Sequence, residues 1–308
     1  LLIIGALNTG NNHYSGKEMS TLLVQGNIKQ HLRFEPSEFW TTMSKYQDLT
    51  RPHWDADLVV WPEAAVPEIE ALADTYLANL DSAASFNKTA LVTGIVDYQL
   101  DTKTIYNTLI VVGNKEHNDE RGHYRYLDKN RYRKHQLLPI GEFVPFQDIL
   151  RPIAPLFDLP MSSFTRGDRV QNNLRANGFN LLPAICYEIV FADLVRGNYQ
   201  SDSDLLFTVS NDAWFGDSIG PLQHMQIARM RALELQRPLV RVTNNGVSAV
   251  YDPLSHTQQT MPQFEAATMK ADIKLIQGDS VYSQYGNVFV WGFVLLLGVG
   301  GFGVRFRK

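Results

Sequence analysis

The chain has 308 residues, 44% of them hydrophobic and 19% charged, enough for one large core or two modest ones, which excludes disorder as its main state. Its 28 Lys and Arg against 32 Asp and Glu leave a net charge of −4, so no global positive field draws it to nucleic acid. A single cysteine excludes an intrachain disulfide framework and any multi-cysteine metal cluster.

In chain order, residues 1–7 (LLIIGAL) are apolar but too short to span a bilayer, and they lack the charged and hydrophobic regions of a signal peptide. Residues 1–19 are therefore expected to be the end of an upstream membrane helix with its linker, the chain being a piece of a longer protein. From 20 to 280 no repeat, low-complexity tract or long charge run intervenes, and one continuous domain is expected. Short apolar runs at 21–25, 58–61, 90–96, 108–112, 181–185, 205–209 and 239–242 predict strands. Between them, 36–49, 67–80 and 221–236 predict helices, each with Pro in the first turn. In the last, Met225, Ala228, Ala232 and Leu235 recur at spacings of three and four, which gives one apolar face for packing on a sheet. The alternation is that of an α/β fold around a buried sheet core.

Residues 137–164 interrupt this pattern with five prolines among large apolar side chains, so neither a long helix nor a central strand fits there. The segment reads either as a loop pinned under the core or as an apolar, membrane-facing lid. At the other end, 280–304 carries no Asp, Glu, Lys or Arg, and 288–304 (VFVWGFVLLLGVGGFGV) is 17 apolar residues long. Tyr282, Tyr285 and Trp291 lie toward one end of it and Arg305, Arg307 and Lys308 at the other, the pattern of aromatic anchors and inside positive charge. Residues 281–308 are thus expected to form a transmembrane helix with a basic cytoplasmic tail, the catalytic domain lying on the opposite side of the membrane.

Three apolar runs end on reactive side chains, and ligands of α/β sheets collect beyond the carboxyl ends of strands. Pro62 stops the first and presents Glu63, while a basic stretch, residues 131–135, carries Lys134 and leads to Glu142 and Phe143. Residues 181–188 end on the only thiol, Cys186, with Glu188 two positions later and a helix start near Phe191. A helix N-terminus there would lower the thiol pKa and raise the thiolate fraction. His135 and His224 are available for a Cys-His dyad, but nothing in the sequence brings either to Cys186. The chain lacks HExxH, CxxC, GxxxxGK[ST] and GxGxxG patterns, so neither a metal nor a nucleotide cofactor is expected.

Glu63, Lys134 and Cys186, in that order, resemble the Glu-Lys-Cys triad of the nitrilase superfamily. The strings LVQGNI (23–28), VVWPEAAVP (59–67), LVTGIVD (91–97), GEFVPF (141–146), AICYEI (184–189), SNDAWFG (210–216) and MRALELQRPLVRVTNNG (230–246) are similar to its bacterial apolipoprotein N-acyltransferase branch. The resemblance, covering about residues 20–308, implies an α-β-β-α sandwich followed by a C-terminal transmembrane helix, in a multi-pass protein of the bacterial inner membrane with a periplasmic catalytic domain. It implies Glu63 as general base, Lys134 as oxyanion stabiliser and Cys186 as nucleophile. Glu142 and Glu188 would be supporting carboxylates, with Tyr187, Trp214, Phe143 and Phe146 at the substrate. The implied partners are a phospholipid acyl donor, the diacylglyceryl-cysteine of an apolipoprotein as acceptor, and the membrane itself. The chain departs from the branch at Arg33-Phe34, where related enzymes often have Lys-Trp. A membrane-tethered amidase-type hydrolase would use the same triad, and a non-catalytic scaffold would keep only the fold.

Overall fold

The computed structural model describes residues 11–32, 35–113, 124–139, 141–143 and 164–305, with side chains described up to 299. The expectations for residues 1–10, for Phe34 and Phe146, and for most of the proline-rich segment lie outside them. Two six-stranded sheets form the centre. In the first, β1 (His13–Gln25), β2 (Leu58–Val60), β3 (Ala90–Gln99), β4 (Thr104–Val112), β5 (Arg131–Arg133) and β12 (Ala267–Gln277) take the order β12-β1-β2-β3-β4-β5. The second contains β6 (Leu174–Ala176), β7 (Phe179–Ile185), β8 (Leu205–Ser210), β9 (Leu239–Thr243), β10 (Ala249–Tyr251) and β11 (Gln258–Thr260), in the order β11-β10-β9-β8-β7-β6. Parallel pairing is confined to the middle of each sheet, β1-β2-β3 and β7-β8-β9, and antiparallel strands flank it.

Burial on both faces explains why the central strands are continuous apolar runs. Leu58, Val60, Val92 and Leu109 meet Leu181, Ile185, Phe207 and Val242 between the sheets. On the outer face of the first sheet, Val59, Leu91 and Ile110 pack against α1 (Phe39–Thr50) and α2 (Asp74–Phe86) through Met43, Tyr46, Leu77 and Leu80. The outer face of the second, with Leu182, Ala184 and Leu206, is covered by α3 (Ala192–Asn198) and α4 (Gly220–Leu235) through Val195, Met225, Ala228 and Ala232. These layers are the expected α-β-β-α sandwich.

Helix α4 begins one residue before the expected Pro221 and ends at Leu235. The helix expected at 67–80 instead starts at Asp74, because residues 66–70 run along β3, with Val66 N–H donating to the Gly94 carbonyl at 3.2 Å and Glu70 N–H to that of Val96 at 2.9 Å, and a turn follows before the helix. Five strands escape an apolar-run reading. β12 alternates, with Ala271, Ile273 and Leu275 buried and Lys270, Asp272 and Lys274 outward, while β5, β6, β10 and β11 have three residues each.

After α5 (Val281–Tyr285), the chain forms α6 (Val288–Arg305), a helix of 18 residues where an apolar helix is expected. Its described large side chains, Val288 to Val299, are 48–71% exposed. Among the described residues no helix is long and apolar enough to cross a membrane, so the fold by itself does not carry a transmembrane assignment.

Candidate active site

The sandwich brings together three side chains more than 50 residues apart in sequence. Glu63 follows β2, Lys134 follows β5 in the same sheet, and Cys186 follows β7 in the other. All three line one cavity of about 70 Å³ with Asn107, Leu138, Glu142, Phe164, Asn211 and Trp214. Glu63 and Lys134 are 6% and 1% exposed, so the charges act with little solvent screening.

Each arm is held by identifiable bonds. Lys134 Nζ lies 2.8 Å from Glu142 Oε2 and 3.5 Å from Glu63 Oε1. Asn107 Nδ2 bridges the carboxylates, donating to Glu63 Oε1 at 2.7 Å and Glu142 Oε1 at 3.0 Å. The Asn211 N–H, from the opposite sheet, donates to Glu63 Oε2 at 2.9 Å, and the Leu138 N–H to Glu142 Oε2 at 2.8 Å. Strand β5, with only three ladder pairs, gains support from Arg131 and Arg133, whose guanidinium groups turn to buried carboxylates. Arg131 meets buried Glu70 at 2.7 Å and Arg133 meets buried Asp97 at 2.7 Å, leaving Tyr132 for the intersheet core.

Cys186 opens a 3-10 turn (Cys186–Val190) with φ of 51°, a left-handed conformation that costs a non-glycine residue about 1–3 kcal/mol and is held by its surroundings. Glu188 closes that turn. One carboxylate oxygen accepts the Ile185 N–H at 2.8 Å, and the other accepts His135 N–H at 2.7 Å and Gln136 N–H at 3.1 Å. A single buried carboxylate thus ties the cysteine turn to the lysine loop. Burial raises the Glu188 pKa above the ordinary carboxylate value, against the pull of those three N–H donors and of Lys134.

The expected lowering of the thiol pKa by a helix N-terminus does not hold. Helix α3 begins only at Ala192, and burial, followed by the Glu63 carboxylate, pushes the Cys186 thiol up to about 12. Lys134 and the neighbouring Ser210 pull it the other way. The free site therefore holds a thiol at neutral pH, and nucleophilic attack requires a base to take its proton. Burial favours loss of the Lys134 proton, yet the charges of Glu63, Cys186 and Glu142 outweigh it and keep the ammonium protonated far above the ordinary lysine range.

The remaining site residues named from sequence are spread more widely. Trp214, 59% exposed, stands at the cavity. Tyr187 packs edge-on against Phe191 at 5.0 Å, and Phe143 lies 5.3 Å from the Arg166 guanidinium; neither lines the cavity. His135 Nδ1 lies 2.8 Å from the Gly167 carbonyl, while His224 Nε2 reaches the Cys186 carbonyl at 3.1 Å, so neither hydrogen-bonds the thiol. Sequence reasoning passed over Asn107, Asn211 and Asp212. The signal available for the last two was that polar residues directly follow the apolar run of β8 in SNDAWFG.

Comparison with known proteins agrees with the layers. Among solved structures, the C. elegans NitFhit protein superposes with a TM-score of 0.62 at 15% identity, over 90% of this chain and 64% of that one, a likeness of fold. The apolipoprotein N-acyltransferase of Photobacterium profundum is 52% identical over 271 residues, 88% of this chain and 52% of that protein. That of Haemophilus influenzae is 41% identical over 303 residues, 96% of this chain and 57% of the relative. The chain spans about half the length of the curated relatives it matches. The carbon-nitrogen hydrolase profile matches residues 23–281, most of the chain and every strand from β2 to β12, and the chain belongs to that family.

Proposed function

We propose that this chain carries the acyl-transfer site of an apolipoprotein N-acyltransferase, with Cys186 as nucleophile, Glu63 as general base and Lys134 as oxyanion stabiliser. The observation that carries the reading is the convergence of these three side chains on one buried cavity, in a chain about half identical to relatives of that name. Glu63 takes the thiol proton as sulfur attacks the ester carbonyl of a phospholipid, and the Lys134 ammonium faces the developing oxyanion. The C–S bond forms, the C–O bond breaks, and Glu63 gives the proton to the lysophospholipid oxygen as it departs, which frees the carboxylate for the second half. The free amine of a diacylglyceryl-cysteine then attacks the thioester, gives a proton to Glu63 and leaves as an amide with the thiol restored. Both substrates being lipids, we assign α6 to the membrane, residues 20–280 to a catalytic domain on its periplasmic side, and the basic end to the cytoplasm of a bacterial inner-membrane protein. Trp214, Phe143 and Phe146 belong in this reading to the apolar path of the acyl chain.

The test is intact mass spectrometry of the protein in membranes after incubation with phospholipid and no acceptor, beside Cys186→Ala. The expected result is a hydroxylamine-labile acyl adduct, absent from the variant, that discharges onto a diacylglyceryl-cysteine peptide. An adduct that discharges only to water would assign the site to an amidase-type hydrolase, and no adduct on folded protein would overturn both.

A further inference from the structure

Behind the thiol lies a buried cluster with no part in the steps above. His224, on α4 and 6% exposed, has Nε2 at 3.1 Å from the Cys186 carbonyl oxygen. A carbonyl only accepts, so Nε2 carries the proton, and in the neutral ring Nδ1 is left as an acceptor. Arg241 Nη2, from β9 and fully buried, lies 3.0 Å from Nδ1 and donates to it. The same nitrogen donates to Asp212 Oδ2 at 2.8 Å, while Asp212 Oδ1 accepts the Ser210 hydroxyl at 2.6 Å and sits 3.2 Å from Nδ1. Even this small region is crowded: a Cβ on Gly246 would press into the Asp212 carboxylate. Ser210 is also among the groups that act on the Cys186 thiol, so the cluster lies close to the nucleophile.

We propose that His224 is a positioning residue for the nucleophile: its Nε2–H holds the Cys186 carbonyl, and with it the left-handed backbone at Cys186, while Arg241, itself held by Asp212, donates to Nδ1 and locks the ring in the tautomer that can do so. The inference rests on Cys186 being the nucleophile. A residue with φ of 51° relaxes unless its peptide groups are fixed, and beyond the turn's own bonds this imidazole is what grips the carbonyl that follows the sulfur-bearing carbon. A deviation of even 1 Å at a reacting atom costs about 100-fold in rate.

The arrangement has a pH signature. The charged and titratable groups facing His224 are Asp212 from the turn after β8, Arg241 from β9 and Cys186 from the turn after β7. Burial, then Arg241, lowers the His224 pKa from its ordinary 6.5, against the pull of Asp212. Protonation leaves Nε2–H in place but puts a second hydrogen on Nδ1, which repels the Arg241 donor and turns to Asp212 Oδ1 at 3.2 Å, so the ring is drawn off the position that holds the Cys186 carbonyl as pH falls through that lowered pKa.

The experiment compares wild type, His224→Leu and His224→Gln in membranes, following acyl-enzyme formation from phospholipid and Cys186 alkylation by iodoacetamide from pH 4.5 to 9. Losing the donor in His224→Leu is expected to slow acylation about 10- to 100-fold with the KM for donor nearly unchanged. His224→Gln, which keeps an N–H donor, is expected to recover most of the rate and to lose the acidic limb. The proposal is overturned if His224→Leu acylates within twofold of wild type, or if His224→Gln keeps the wild-type limb. Should His224→Leu fail to fold, the His224→Gln profile decides alone. Should wild type take no acyl group, the assignment of Cys186 as acyl carrier falls, and the alkylation rates of the variants, slowed or unchanged, still decide whether His224 positions the thiol.

Discussion

At Cys186 the surroundings oppose ionisation more strongly than they promote it, since burial and Glu63 outweigh Lys134 and Ser210. With its thiol pushed up to about 12, the unliganded protein should react slowly with iodoacetamide at pH 7, and the rate should keep rising to pH 10 without a plateau. Lys134→Met removes the cation that stabilises the thiolate, so the pKa moves further up and alkylation at pH 9 should slow at least about threefold, one half-unit of pKa. The same change strands the Glu142 and Glu63 carboxylates opposite a methyl group, and unfolding in urea should show a loss of about 3–5 kcal/mol. Faster alkylation in the variant would show that Lys134 does not act on the sulfur. The positions of Glu63 and Cys186 were legible because each follows an apolar run whose burial is visible in its composition, whereas Lys134 follows Arg-Tyr-Arg and was singled out only by the family resemblance. Asn107 was not legible, because one amide inside a strand says nothing of two carboxylates that arrive from residues 63 and 142. His224 was visible only as a histidine on a helix, since its partners, the Cys186 carbonyl, Asp212 and Arg241, come from three other segments.

Among elements, the crossing of β2 and β3 fixes the base. After β2 the chain turns at Ala64 with φ of 52° and passes over Gly94, whose added Cβ would come within 3.0 Å of the Glu63 Cα and closer to the Ala64 nitrogen. Both obstacles are backbone, so Gly94→Ala must displace the strand end rather than a flexible side chain. We expect a loss of about 1–3 kcal/mol in denaturant unfolding and a fall in acylation exceeding what the lost stability explains. Wild-type activity in a folded Gly94→Ala protein would show that the Glu63 position tolerates such a shift. The helix expected at 67–80 failed for a related reason. Hydrogen bonds from Val66 and Glu70 to β3 outcompete helical ones through residue 70, and these tertiary bonds leave no mark in local periodicity. Likewise β5, Arg-Tyr-Arg, has the composition of a surface and the environment of a core, because Glu70 and Asp97 neutralise it from a distance in sequence.

For the whole molecule, the sandwich and α6 are separable in a way that can be measured. The intersheet core and both outer layers are complete without α6, whose large side chains through Val299 are at least 48% exposed and belong to none of the three apolar clusters. An 18-residue helix rises about 27 Å at 1.5 Å per residue, and the membrane contact proposed for α6 is what would cover the side chains that the sandwich leaves exposed. Ending the chain at 287 should therefore leave the melting temperature within about 2 °C of that of the 308-residue chain, since the described side chains of α6 give up little buried apolar area. It should also abolish flotation of the chain with phospholipid vesicles. Flotation that survives truncation would move the membrane contact to the sandwich itself, and a large drop in melting temperature would mean that α6 packs on the fold in solution.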